Sequence, residues 1–173
     1  VFDSAQKARD LGFSDSQGFA VTGQTADVDG DGDRDVPVAM LRNVPGVGAR
    51  SSVVVLPNTG DGTFGAPLLD VELPNSGPGP GPGSIYYGVS AHLVDLIGTS
   101  APDLVVKSSV DGVVRTRPGN GDGTFGTEVT VAGVVGAGIR FADVDGDGRT
   151  DLANQGAFST GDYGKVAILR NTA

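Results

Sequence analysis

The sequence predicts an all-β fold made of a repeated unit of four short antiparallel strands. An acidic loop occurs twice, at residues 27–35 and 143–151, and a Gly-Asp-Gly-Thr-Phe turn occurs twice, at residues 60–64 and 121–125. Each of these turns lies between apolar, β-branched stretches, and Asp-Gly in that context is a hairpin signal because Gly adopts positive φ without steric cost. Four short strands repeated at about 40 to 70 residues are typical of a β-propeller blade.

The repeats divide the chain into three predicted blades within one β-propeller domain, residues 1–173, whose ring is closed by oligomerisation. A single blade cannot bury both of its faces, so the blades are expected to stack on one another. The predicted boundaries are an N-terminal strand segment that completes a neighbouring blade at 1–18, blade 1 at 19–73, a Pro/Gly-rich loop at 74–88, blade 2 at 89–131, and blade 3, which lacks its outer strand, at 132–173.

The acidic loops predict two structural calcium ions per chain. Carboxylates at positions 1, 3, 5 and 9 of a tight loop with Gly at position 6 converge on one point when a hard cation holds them, and calcium takes six to eight oxygen ligands. The predicted ligands are the side chains of Asp27, Asp29, Asp31 and Asp35 with the carbonyl of Asp33, and the side chains of Asp143, Asp145, Asp147 and Asp151 with the carbonyl of Arg149.

An EF-hand loop also opens with alternating acids and a Gly at position 6. It requires a bidentate Glu at position 12 and a following helix. Position 12 is Val38 in the first loop and Asn154 in the second, and neither is followed by a helical pattern. The EF-hand interpretation therefore fails on both requirements.

The second unit carries an incomplete version of the acidic loop at residues 95–103. Only its first and last acids, Asp95 and Asp103, are present. The apolar stretch that follows still has the composition of a strand, so the sequence predicts a blade without calcium.

Composition narrows the classes of partner and chemistry. The 173 residues carry a formal net charge of −9, which makes nucleic acid an unfavourable partner. Nine of the 21 acidic residues lie in the two complete loops, so two calcium ions would leave a charge of −5. There is no Cys for disulfides, thiolate metal sites or nucleophilic catalysis, and no apolar run approaches the roughly 20 residues of a membrane span.

Phe64-Gly65-Ala66-Pro67, together with the two acidic loops, resembles the FG-GAP or VCBS repeat, the blade of the integrin α-subunit propeller. The resemblance implies calcium at the first hairpin of a blade and a secreted or cell-surface location. It also implies a non-catalytic, lectin-like or adhesin-like binding module for glycan or protein ligands. The alternative is a purely structural propeller portion of a larger secreted enzyme, toxin or surface protein.

The candidate ligand-binding residues are Tyr86 and Tyr87, at the end of the Pro/Gly-rich loop, with His92 nearby. Paired tyrosines could stack on a sugar ring or anchor a peptide, although a loop of this composition is also typical of a simple connector. His92 is the only histidine of the chain and lies in a strand-like run, which favours an interior position over a general base. We therefore expect no enzymatic activity.

Three blades are too few to close a ring, because propellers typically have four to eight. We expect two chains to form a six-bladed ring, in which residues 1–18 of each chain complete blade 3 of the other; a dimer is favoured over a nine-bladed trimer by the frequency of two-fold assemblies. The alternative is that the remaining blades belong to a longer propeller chain.

Overall fold

The computed structural model describes residues 18–44, 48–73, 89–98, 100–108, 112–133, 138–155 and 166–172. These residues form eleven β-strands and no helix, which confirms the all-β prediction. A helix able to cross a membrane is accordingly not found in the part of the chain described. The predicted N-terminal segment, apart from Gly18, and the predicted Pro/Gly-rich loop at 74–88 lie outside the described residues.

The strands form three antiparallel sheets in which neighbours in sequence are neighbours in space. Sheet 1 consists of β1 (Gly18–Thr22), β2 (Val36–Val44), β3 (Gly48–Leu56) and β4 (Leu69–Glu72). Sheet 2 consists of β5 (Val89–Val94), β6 (Asp103–Ser108), β7 (Val113–Arg117) and β8 (Val129–Gly133). Sheet 3 consists of β9 (Gly138–Ala142), β10 (Asp151–Gln155) and β11 (Val166–Leu169).

The middle sheet is covered on both of its faces. All six residues of β6 are buried. Successive side chains of a strand point to opposite faces of the sheet, so this pattern is expected for a strand with a sheet packed against each face. Leu104 and Val106 face sheet 1, and Val105, which points the opposite way, belongs to the cluster shared with sheet 3. The continuous apolar run in the sequence is therefore explained by the sheet's position between two others.

Two apolar clusters join the sheets into a row. The cluster between sheets 1 and 2 contains Val28, Ala39, Val53, Val55, Leu73, Ala91, Leu93, Leu104 and Val106. The cluster between sheets 2 and 3 contains Val94, Leu96, Val105, Val114, Ile139 and Leu152. A third cluster, Val38, Met40, Val54 and Leu56, lies on the face of sheet 1 turned away from sheet 2.

Each Gly-Asp-Gly turn closes the hairpin between the third and fourth strands of its sheet. Isolated bridges pair Asn58 with Phe64 and Gly119 with Phe125 across the two turns. The glycines of both turns have φ between 78° and 84°, a conformation in which a side chain would be strained. The identical spacing of the glycines thus produces the same backbone path in sheets 1 and 2.

Candidate metal centres

The first acidic loop joins β1 to β2 and winds around the carboxylate of its first acid. Asp27 Oδ1 accepts a hydrogen bond from the Gly30 amide at 2.7 Å, and Asp27 Oδ2 accepts one from the Gly32 amide at 2.9 Å. Both glycines have positive φ, 81° and 95°, which turns their amides inward. The alternation of Asp and Gly in the sequence therefore produces a compact loop.

Three carboxylates of this loop converge. One oxygen from each of Asp27, Asp29 and Asp35 lies within 4.8 Å of the other two. The fourth predicted side-chain ligand, Asp31, accepts a hydrogen bond from the Asp33 amide at 2.8 Å. The predicted coordination by Asp31 and by the Asp33 carbonyl remains a prediction.

The loop between β9 and β10 repeats this geometry. Oxygens of Asp143, Asp145 and Asp151 lie within 4.8 Å of one another. The Gly146 and Gly148 amides donate to the two oxygens of Asp143 at 2.6 and 2.8 Å. Two separate segments of the chain thus place acids 1, 3 and 9 in the same arrangement.

The residues present fit calcium. Each group offers only carboxylate oxygens, the ligand type that hard cations take, and three anionic groups this close together repel one another unless a cation offsets their charge. When bound, calcium would supply that positive charge.

Asp147, the acid at position 5 of the second complete loop, also contacts the Arg149 guanidinium, with Oδ2 and Nη2 2.5 Å apart.

The last acid of each complete loop, at position 9, also accepts hydrogen bonds from two backbone amides, an arrangement that we call the brace. Asp35 accepts hydrogen bonds from the Val28 amide at 2.8 Å and from the Asn58 amide at 3.0 Å. Asp151 accepts the corresponding bonds from the Val144 amide at 2.9 Å and from the Asn171 amide at 2.8 Å. One carboxylate therefore ties the start of the loop to a residue just beyond the third strand.

The incomplete loop of sheet 2 keeps this brace. Asp103 is fully buried and accepts hydrogen bonds from the amides of Leu96, Ile97 and Gly119 at 2.9, 2.8 and 3.0 Å. Asp95 is exposed, and no third group of converging acids occurs among the described residues. The acid at position 9 thus has a structural role that does not depend on metal. The sequence signal for this role is that Asp103 is present in a loop that lacks the acids at positions 3 and 5, and reasoning about metal ligands alone misses it.

The two complete loops differ in their surroundings. Sheet 2 covers the first loop, where the Gly123 amide donates to the Val28 carbonyl at 2.8 Å. Burial raises the pKa of the Asp35 carboxyl. The pKa of Asp151 is instead lowered, first by the hydrogen bond from the Asn171 amide and then by that from the Val144 amide.

His92 lies at the contact between the sheets. It is only 8% exposed, and its ring meets that of Phe141 in β9 edge-on, with centroids 5.2 Å apart. Nδ1 accepts a hydrogen bond from the Gln24 amide at 3.2 Å, and Nε2 has no hydrogen-bond partner among the described residues. Tyr86 and Tyr87 lie outside the described residues, so ligand contact by these three residues remains a prediction.

The environment of His92 predicts a pH-dependent stability. Burial, with a smaller contribution from the Arg140 charge, lowers its pKa from 6.5 to about 4. Between these values the unfolded chain binds a proton that the folded chain does not. The contribution of the neutral His92 side chain to the free energy of unfolding is therefore fully present above pH 6.5. It is lost as the pH falls toward 4, and the loss is roughly 3 kcal/mol in total.

The measurement compares urea unfolding of the native chain and of His92→Gln between pH 7 and 4. The variant shares every carboxylate with the native chain, so the difference between the two curves isolates the histidine. The single histidine also gives unambiguous imidazole signals in an NMR titration. An imidazole that titrates near pH 6.5 in the folded protein would contradict the prediction.

Comparisons with protein-family models, with curated proteins and with solved structures found no match.

Proposed function

We propose that this chain is a calcium-stabilised β-propeller segment of the FG-GAP/VCBS type that acts as a non-catalytic binding module for glycan or protein ligands. One observation carries the proposal. In each of the two complete loops, the carboxylates at positions 1, 3 and 9 lie close enough together to bind one cation. Each ion would hold together the loop between the first two strands of a sheet. The module would work outside the cell, where calcium is abundant enough to fill weak sites, with dissociation constants of roughly 0.1 to 1 mM.

Calcium is expected to bind at two sites per chain and to raise the melting temperature, because a ligand that binds only the folded state stabilises it. Titration calorimetry counts the sites, and melting with and without a chelator measures the stabilisation. Asp29→Ala and Asp145→Ala should each remove one site, since each deletes one of three converging carboxylates.

Asp95→Ala is the matched control, because it removes the first acid of the incomplete loop. Its calcium stoichiometry should equal that of the native chain. Equal calcium loss in Asp95→Ala and Asp29→Ala, or a melting temperature that does not respond to the chelator, would overturn the calcium assignment.

The binding role is tested by glycan arrays and partner pull-downs with the calcium-loaded protein, in comparison with a Tyr86→Ala/Tyr87→Ala variant.

A second candidate is a structural portion of a larger propeller assembly. The observation that favours it is the apolar surface of sheet 3, where Val144, Val166 and Ile168 are exposed. A module complete in itself would normally bury such a group of side chains. Array and pull-down experiments that find no ligand, together with intact calcium binding, would favour this candidate.

A further inference from the structure

The two complete acidic loops differ in the positive charge that lies against them. At position 7 the first complete loop has an acid, Asp33, whereas the second has Arg149. The Arg149 guanidinium contacts Oδ2 of Asp147 at 2.5 Å, and its Nε donates to the Asn171 carbonyl at 2.9 Å. Oδ1 of Asp147 accepts a hydrogen bond from the Arg149 amide at 2.8 Å. Both oxygens of this predicted ligand are therefore already engaged within the chain.

A second arginine approaches one of the three converging acids of the same loop. Arg170 directly follows β11, and its Nε lies 3.7 Å from Oδ2 of Asp145. The Arg170 side chain is 68% exposed, so water screens this pair and makes it weak by itself. Its charge adds to that of Arg149, because Coulomb interactions with a common group of acids sum. Two positive charges thus lie beside the second complete loop.

The first complete loop has no such contact among the described residues. Its own arginine, Arg34, donates from Nε to the Thr25 hydroxyl at 3.1 Å and from Nη2 to the Thr25 carbonyl. Asp31, the acid at position 5, accepts the Asp33 amide through Oδ1. Its Oδ2 contacts no donor or cation in the part of the chain that the structure describes. The acids of this loop therefore keep their full negative charge.

We propose that Arg149 and Arg170 are built-in counter-ions of the second complete loop, so that the first complete loop is the tighter calcium site and the one that depends on a cation. This inference rests on the proposed function, in which both loops bind calcium. The guanidinium groups offset part of the carboxylate charge before an ion binds, and they repel the ion itself. As the calcium concentration rises, the first complete loop should therefore fill before the second.

Calcium titration calorimetry on chains with a single site tests the order of filling. Asp145→Ala leaves only the first complete loop able to bind, and Asp29→Ala leaves only the second. A divalent ion and a guanidinium about 6 Å apart in water repel one another enough to change a dissociation constant about tenfold. The Asp29→Ala chain should therefore bind calcium about tenfold more weakly than the Asp145→Ala chain.

Substitutions of Arg149 in the Asp29→Ala chain show whether its charge is the cause. Arg149→Gln removes the charge and should tighten calcium binding at least about threefold. Arg149→Lys keeps the charge and should leave the affinity unchanged, whereas a purely structural role of the guanidinium would make the Gln and Lys variants alike. Arg34→Gln is the matched control, because it removes an equal charge from a side chain bonded to Thr25. It should not change the affinity.

Melting in the presence of a chelator tests the same charges without calcium. Asp29 and Asp145 each accept a hydrogen bond through Oδ1 from the amide two residues later, at 3.3 Å in both loops. An Asn at either position keeps that acceptor. Asp29→Asn relieves repulsion between carboxylates and should raise the melting temperature by roughly 2 °C. Asp145→Asn also removes the partner of Arg170, so it should leave the melting temperature unchanged or lower it.

Three results would each overturn the proposal: equal calcium affinities of the two single-site chains, equal effects of Arg149→Gln and Arg34→Gln, or an equal rise in melting temperature for Asp29→Asn and Asp145→Asn. If neither loop binds calcium, the proposed function fails. The melting comparison in chelator then decides by itself whether the arginines act as counter-ions.

Discussion

Asp103→Ala is expected to destabilise the protein strongly although Asp103 lies in the incomplete acidic loop, where we expect no calcium to bind. The substitution leaves the amides of Leu96, Ile97 and Gly119 without the carboxylate that accepts their hydrogen bonds. Each buried donor left unsatisfied costs about 1 to 3 kcal/mol, and partial access of water reduces the sum. We expect a loss of about 3 kcal/mol, which lowers the melting temperature of a chain this size by about 6 to 12 °C.

Urea unfolding in the presence of a chelator measures this loss without any contribution from calcium. Asp95→Ala, at the exposed first acid of the same loop, is the control and should change stability by no more than about 0.5 kcal/mol. Asp103→Asn should give an intermediate loss, because an amide retains only one of the two accepting oxygens. A loss for Asp103→Ala that matches the control, or that occurs only with calcium, would contradict the bracing role.

Gly23→Ala is expected to separate sheets 1 and 2. A Cβ at this position would lie 1.9 Å from the carbonyl oxygen of Ala91 and 2.8 Å from Nδ1 of His92. The neighbouring Gln24 forms the link between the sheets, since its carbonyl accepts a hydrogen bond from the Leu93 amide at 2.8 Å. The backbones must move apart to admit the methyl group, so we expect a loss of about 3 kcal/mol or more.

Gly138→Ala is the matched control, because Gly138 begins β9 and a Cβ there would meet nothing within 4 Å. Its stability should stay within about 0.5 kcal/mol of the native chain. Unfolding curves of the two variants, together with their yields of soluble protein, decide the comparison. Similar stability of Gly23→Ala and Gly138→Ala would show that the two sheets do not pack at this point.

The strands and turns could be predicted from the sequence because local chemistry determines them. Asp-Gly spacing sets positive φ at Gly60 and Gly62, and β-branched runs form strands wherever they can be half-buried. The same spacing brings Asp27 and Asp29 together, since residues so close in sequence can meet in a tight loop. These features require no knowledge of the distant parts of the chain.

Local sequence was thus sufficient to predict the all-β class, the paired turns and the residues of the acidic loops. The packing of the sheets was needed to reveal that Asp103 is a brace, that Gly23 lies against Ala91, and that Val144 is exposed where Val28 is buried. The reason is that these properties depend on which sheet packs against which. Residues with the same local sequence acquire different burial when one has a neighbouring sheet and the other does not, and no local pattern records that difference.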